Sequence, residues 1–558
     1  MTNKSNELQT VSKAPQVECF FKRLDWLAFW AAFILSFVVY LYTLAPTVTL
    51  EDSGELAVAG DYLGVPHPPG YPIWTMLAWI FSKVFFFVPY RGQPNPAWSI
   101  GLMSAVFGAL AAGITAMLIC RSGTDMLHHA AQNDDKELTH RSSIICWIGG
   151  VVGSLLFAFS PVMWSQSVIV EVYSLNAFFL VIIFLLTYRW MRKPTNALLY
   201  VTGFIFGLGL TNYQVLLLAA LPLVIVIMLK DINLFRDLVI VGIVFIVSIA
   251  ILQLANAPSQ PGFPKPAIFQ GNQARALMSN SAYFWTFAAG TLVVVMCIVI
   301  GTRKSGSPWP LTPSVILGIA IVFLVYMIAR IPRTPPHPFP LQPGQSVFDW
   351  RMYYMGFLAA MAVLIALCIF LPKGRTVAIA FVTVEITLAI LLRKGVLLGL
   401  VHPPNSFMMF IHPTEHSWWF VFYLFLNFAI LTTAFFLLPH GKVIALTILL
   451  AELGVAFYAY MPIVSDLRNP PMNWGYPRTW EGFKHAITRG QYEKIKPADV
   501  FSATFIDQIG SYFTDLRVQF TLPLALLGFL PFSAWRLRIR KFQINALYVA
   551  IALAVISS

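Results

Sequence analysis

Apolar residues in this chain come in runs of about 16 to 23, separated by short polar breaks, and that pattern leaves one class of fold. A run of that length in a bilayer must satisfy its own backbone N–H and C=O groups, which a helix does. We therefore expect an all-α polytopic membrane protein with about 14–15 transmembrane helices. They are expected near 26–45, 98–120, 143–163, 171–188, 198–211, 214–229, 238–255, 281–301, 308–329, 352–371, 376–392, 416–438, 443–462, 520–535 and from 542 onward.

The first 25 residues are polar and carry Lys4, Lys13, Lys22 and Arg23. The apolar run that follows has no small-residue cleavage site, so it reads as a retained first span. With the N-terminus cytoplasmic, the breaks on that side hold 21 of the 37 Lys and Arg residues in 83 positions, a positive-inside bias. The net charge of +13 is spread along these breaks instead of forming a stripe, which argues against nucleic acid as a partner. Cys19, Cys120, Cys146, Cys297 and Cys368 form no ligand spacing.

The chain divides into a cytoplasmic tail (1–25), a transmembrane catalytic domain (26–462) with a first outer loop (46–97), a late outer loop (463–519), and final spans (520–558). It stops within an apolar run, which suggests that further sequence follows. Two segments fit the pattern poorly. Residues 198–211 are short and carry Gly203, Gly207 and Gly209, whose GxxxG spacing allows close helix contact. Residues 73–89 are apolar enough to cross, but counting them inverts every later loop, so they are expected to lie in the outer interface with Lys83 snorkelling.

The polar sequence is concentrated on the outer side. The stretch LEDSGELAVAGDYLGVPHPPGYPIW, residues 50–74, has four acids, one histidine and a run of prolines just after the first span. Glu51, Asp52 and Glu55 should sit near the headgroup plane, where burial and mutual repulsion raise one pKa and make a general base. The same DSGE string has the form of a capping box for a helix starting near Ser53. Pro68, Pro69 and Pro72 stiffen the backbone that presents His67, a candidate ligand for a phosphate, a hydroxyl or an acid of the first cluster.

Glu171 stands at the outer end of an apolar span, where an acid is costly unless it faces a polar cavity. Tyr173, Ser174 and Asn176 follow it, and Ser174 is expected to share its helix face. From 468 to 492 aromatics alternate with Arg468, Arg478, Lys484 and Arg489, a composition that suits a sugar phosphate or a lipid headgroup. His402, His412, Glu415 and His416 lack the HExxH order of a zinc hydrolase. Glu385 and Glu452, inside spans, would suit an ion-coupled transporter or a flippase for a lipid-linked anionic sugar, the rival class.

Three strings, TLEDSGELAVAGDYLGVPHPPGYPIW, SQSVIVEVYSLNAFF and NPPMNWGYPRTWEGFKHAITRGQY, resemble the landmarks of domain-of-unknown-function family 2723. That family includes bacterial membrane proteins and the transmembrane protein 260-like O-mannosyltransferases. More widely the chain is similar to membrane glycosyltransferases of the C-type fold. The resemblance implies inverting transfer of a hexose, mannose among the candidates, from a polyprenyl-phosphate donor to a hydroxyl of a protein or glycan. It implies a bacterial inner (cytoplasmic) membrane, with the active site facing the periplasm or exterior.

By this likeness Asp52, or the adjacent Glu51, is the first-loop base and Glu171 the second-loop acid. His67, Tyr71, Arg478 and Arg468 are expected at the donor phosphate, and Glu55, Asn473, Trp474 and Tyr173 near the acceptor or sugar. No cofactor is required, and no metal site is assigned. The acidic loop nonetheless leaves a divalent cation open. The implied partners are membrane lipid, the lipid-linked donor and the acceptor.

Overall fold

The computed structural model describes residues 20–49, 51–130, 136–255, most of 430–492 and most of 502–524. The spans expected from 281 to 392 and from 542 onward, most of those at 416–438 and 520–535, and Glu385, His402, His412, Glu415 and His416 lie outside the described residues.

Fourteen α-helices are described. They are α1 (Arg23–Tyr42), α2 (Ser53–Tyr62), α3 (Pro72–Val84), α4 (Pro96–Ala130), α5 (Lys136–Ala158), α6 (Pro161–Ser167), α7 (Tyr173–Arg192) and α8 (Asn196–Leu210). Then come α9 (Ala220–Lys230), α10 (Ile232–Ala255), α11 (Gly441–Val455), α12 (Tyr460–Arg468), α13 (Trp480–Ile487) and α14 (Ala503–Phe520). Among the described residues, five segments are long and apolar enough to cross a membrane: Arg23–Tyr42, Pro96–Asp125, Arg141–Ala158, Tyr173–Arg192 and Gly441–Asp466.

Small residues let the long helices approach. On α4, Ala105, Ala109, Ala112 and Ala116 recur at steps of four and three, and all are fully buried. Ala28, Ala32, Ser36 and Tyr40 of α1 recur every fourth residue and are equally buried. The Tyr40 hydroxyl donates to the Ala158 carbonyl of α5 at 2.6 Å, so the aromatic at the end of this stripe has a partner for its one polar atom.

An ionic clasp ties one end of this bundle. Asp125 on α4 accepts from the Arg121 guanidinium at 2.7 Å and the Tyr188 hydroxyl at 2.6 Å, and pairs with Arg192 at 3.2 Å. Asp25 at the start of α1 lies 3.7 Å from Arg121. These charges are largely buried, so each holds the others in place against a high cost of desolvation. The opposite end, beyond Tyr42 and before Tyr173, carries the polar loops.

The weak span at 198–211 forms α8, and its glycines are contact points. A Cβ added at Gly203 would lie 2.7 Å from the Thr447 carbonyl oxygen, and one at Gly207 would collide with the Ala451 carbonyl. From the other side, a Cβ on Gly454 would meet the Phe204 carbonyl at 2.6 Å. The backbones of α8 and α11 thus touch directly. The 73–89 run becomes α3, 13 residues and so about 20 Å long, too short to span about 30 Å of hydrocarbon. Its Trp74, Met76 and Ala78 are fully buried, and Lys83 pairs with Asp61 of α2 at 2.6 Å instead of extending alone.

Gly207→Ala should destabilise the protein by about 1–3 kcal/mol, because the contact is with backbone that cannot move aside. Gly149→Ala, with nothing within 4 Å of the new methyl, should be neutral. Thermal unfolding in detergent compares them, and equal midpoints for the two variants would refute close α8–α11 packing.

Candidate functional site

The site forms where two segments more than 400 residues apart are joined by main-chain hydrogen bonds. Val65 donates to the Met472 carbonyl at 2.8 Å, and Trp474 donates to the Val65 carbonyl at 2.9 Å. Gly64 permits this docking, since a Cβ there would lie 2.5 Å from the Met472 oxygen. Tyr460 of α12 supports it from below, its hydroxyl donating to the Gly64 carbonyl at 3.2 Å.

His67 follows immediately. The turn after it closes through Gly70 N–H to the His67 carbonyl at 2.8 Å. Gly70 has a φ of 90°, and Met461 packs so closely that a Cβ would lie 2.6 Å from its sulfur. A side chain at position 70 is excluded twice over, by conformation and by space.

The His67 ring is buried, 7% exposed, and both nitrogens are engaged. Nδ1 lies 3.2 Å from Glu55 Oε1, which also accepts from the His67 backbone N–H at 2.6 Å. A carboxylate only accepts, so Nδ1 carries the proton. Nε2 then accepts from the Tyr71 hydroxyl at 2.9 Å, and it faces Asp52 Oδ2 at 3.8 Å. A second proton, on Nε2, would turn the ring into a donor toward Asp52. Burial alone would depress the histidine pKa. The Glu55 hydrogen bond and the charges of Glu55, Asp52 and Glu171 outweigh it and hold the pKa above its ordinary value.

The expected capping box does not form. Asp52 occupies the N-cap position of α2, but its side chain makes no capping bond, and Glu55 turns to His67 instead. Ser53 Oγ does the local work, accepting from Thr49 N–H at 2.9 Å. Asp52 is left with a side chain 59% exposed, and Glu51 beside it is exposed with a φ of 65°.

Glu171 lies two residues ahead of α7, not on it. Its predicted helix-face neighbour, Ser174, bonds to Ser167 Oγ and to the Gln166 carbonyl, each at 3.1 Å. The Glu171 backbone is fixed by Trp74 Nε1, which donates to its carbonyl at 3.0 Å. Its carboxyl is only 5% exposed. Desolvation raises its pKa to about 7, helped by the charges of Glu51 and Asp52 and opposed by the Val172 N–H and by His67. A carboxyl with that pKa can donate as well as accept near neutrality.

Aromatic residues surround this acid-histidine centre. Trp474 stands edge-on to His67 with centroids 6.4 Å apart, and Tyr173 stands edge-on to Tyr213 at 5.4 Å. Burial holds the Tyr71 phenol far above its ordinary pKa, with Tyr492, Tyr213 and Tyr173 adding and Arg489 opposing. Asn473 is buried and donates to Asn469 Oδ1 at 3.1 Å.

The two basic residues expected at the donor behave differently. Arg478 lies 3.8 Å from Asp466, and its backbone N–H bonds Ser465 at 3.1 Å. Arg468 closes α12. Sequence reasoning passed over Tyr213 and Gln214. Gln214 donates to the Ile487 carbonyl at 2.8 Å and to Tyr458 at 3.2 Å, pinning the segment after α13 to the loop before α9. Their local sequence, TNYQ, carries no motif that would single them out.

Asp52, Glu55 and His67 each offer one ligand atom, and these lie within 4.8 Å of one another. The carboxylate and imidazole donors suit a divalent transition metal. Such an ion would compete with the Glu55–His67 hydrogen bond and with the Tyr71 bond to Nε2, so no step below is routed through it.

A family model described as the N-terminal domain of protein O-mannosyl-transferase TMEM260 matches residues 52–235, which include the acid cluster, His67 and Glu171. The protein O-mannosyl-transferase tmem260 of Dictyostelium discoideum is 27% identical over 207 residues, 34% of this chain and 22% of that protein. The mouse protein O-mannosyl-transferase TMEM260 is 31% identical over 199 residues, 35% of this chain and 24% of that protein. The aligned part of the chain thus spans less than a quarter of the length of these curated relatives. No solved structure matches.

These findings correct two expectations. The matching family model is that of TMEM260, so the assignment to domain-of-unknown-function family 2723 is withdrawn. Both relatives are eukaryotic, which overturns the placement in a bacterial inner membrane, while the multi-span character stands.

Glu171 makes stability depend on pH. Its folded pKa lies above its unfolded value, so its contribution is complete below about 4.5 and is lost as pH rises through about 7. Glu171→Gln, neutral throughout, should therefore gain on wild type by up to about 3 kcal/mol between pH 4.5 and 8. Unfolding midpoints of both proteins across that range test this, and a difference that does not change with pH would show that Glu171 titrates as an ordinary carboxyl.

Proposed function

We propose that this protein is a membrane glycosyltransferase that moves a hexose, with mannose the first candidate, from a polyprenyl-phosphate donor to a hydroxyl of a protein or glycan acceptor. The observation that carries this reading is the convergence of Asp52 and Glu55 on the His67 ring, with the Glu171 charge acting on it, inside the segment that resembles an O-mannosyltransferase domain. The reaction would take place at the face opposite the N-terminus.

In this mechanism Asp52 takes the acceptor proton. Its side chain is far more exposed than those of Glu55 and His67, as a group meeting a macromolecular acceptor must be, and it neighbours His67 without being tied to it. The acceptor oxygen forms a bond to the anomeric carbon from the face opposite the phosphate. The bond from that carbon to the phosphate oxygen breaks, polyprenyl phosphate leaves with the electron pair, and the sugar is inverted. Glu171, with a pKa near 7, holds an acceptor or sugar hydroxyl, accepting when ionised and donating when protonated.

Glu55 fixes the tautomer and the raised basicity of His67. The imidazolium, when formed, stabilises the negative charge that grows on the departing phosphate. Trp474 and Tyr173, both partly exposed beside the centre, offer flat faces for a sugar ring. A donor that carries its own leaving group needs no further cofactor.

Asp52→Asn should abolish transfer from a labelled polyprenyl-phosphate mannose while leaving protein yield unchanged and donor affinity within severalfold. Single-turnover assay of the purified chain with candidate acceptors, followed by mass analysis of the product, measures this. Comparable activity in the variant would mean that another group is the base.

A further inference from the structure

Across the tyrosine layer from the acids stands a cation, Arg489, that the mechanism above leaves unused, as it does Arg468 and Arg478. Arg489 follows α13 in left-handed backbone, φ 53°, within a closed turn. Its N–H bonds the Ala486 carbonyl at 3.1 Å, Gly490 N–H bonds His485 at 2.8 Å, and Tyr492 N–H bonds Arg489 itself at 2.9 Å. The Gln214 amide clamps the same turn through Ile487. The side chain is therefore aimed by a rigid support.

Its guanidinium lies over the Tyr492 ring, 4.6 Å from the centroid. Its charge is felt at the Tyr71 phenol. Nε is buried and has no hydrogen-bond partner, and among the described residues no carboxylate pairs with the group. The Arg478 Nε likewise makes no hydrogen bond, but it faces the Asp466 carboxylate at 3.8 Å. A guanidinium with a buried, unsatisfied N–H is costly unless an anion completes it. Its flat fork suits two oxygens of one phosphate.

We propose that Arg489 is the residue that receives the phosphate of the lipid-linked donor, with Tyr71 and Tyr492 beside it. This rests on the transferase reading above and refines it. Attack opposite the leaving group then requires the acceptor, met by Asp52, to reach the anomeric carbon from the face away from that phosphate.

The full chain in nanodiscs is titrated with a short-chain polyprenyl phosphate, with the matching polyprenol, and with phosphatidic acid. Wild type should prefer polyprenyl phosphate over polyprenol. Arg489→Gln should weaken that phosphate ester roughly ten- to hundredfold, since a charge-assisted bond is lost. Arg489→Lys, which keeps the charge but not the fork, should lose severalfold. Polyprenol affinity should be the same in all three proteins, and Arg91→Gln, a cation elsewhere in the first loop, should bind as wild type does. The lysine variant decides the matter if the glutamine variant fails to fold.

Wild-type affinity for polyprenyl phosphate in either Arg489 variant overturns the assignment and leaves the transferase reading intact. A larger loss in Arg478→Gln than in Arg489→Gln overturns it too. Equal displacement by phosphatidic acid would make Arg489 a clamp for bilayer headgroups, not a donor site. A wild type that does not distinguish polyprenyl phosphate from polyprenol removes both readings together.

Discussion

The imidazole of His67, held on both nitrogens, is the constraint on which the rest of the site depends. Glu55 holds Nδ1, and the Tyr71 hydroxyl holds Nε2. Because the ring cannot turn, the position of Asp52 relative to it is set by the start of α2, and that of Tyr71 by the start of α3. Two short helices that never cross the bilayer thus bring acid and phenol to the same nitrogen. Removing Glu55 would release the ring and with it the alignment of both neighbours.

The supporting layers follow a common logic, in which groups that are expensive to bury fix one another. Trp74 is fully buried, and its one polar atom is satisfied by the Glu171 carbonyl. That bond stops the chain between α6 and α7 from retracting and keeps a desolvated carboxyl facing the cluster. At the far end of the bundle, Arg121 and Asp125 play an equivalent part for α1, α4 and α7. Between these polar ends the helices meet through alanine and glycine, where lipid offers no competing interaction.

The site was legible in the sequence wherever a residue violated its surroundings. Acids, a histidine and prolines at the edge of an apolar run pointed to Asp52, Glu55 and His67, and an acid against a span pointed to Glu171. Local rules misjudged what these residues would bind. DSGE has the spacing of a capping box, yet a buried histidine twelve positions on competes successfully for Glu55. Ser174 follows Glu171 at helical spacing, yet α7 begins too late for the two to share a face. The sequence placed Arg489 among four basic residues suited to a phosphate, but the part proposed for it was not legible. It depends on Asp466 neutralising Arg478 and on Gln214, more than 250 residues earlier, holding the turn. Such contacts leave no periodicity to read.

The joint between the first and late loops has a further consequence. Val65 meets Met472 and Trp474 through peptide groups, with only Gly64 demanded by the fit. The late loop is thus located by its path and hardly by its side chains. The Met472 side chain is therefore free to diverge while the joint persists, whereas Gly475, at a φ of 69°, is not. A lineage of such proteins could change which surfaces it recognises without rebuilding its reactive centre.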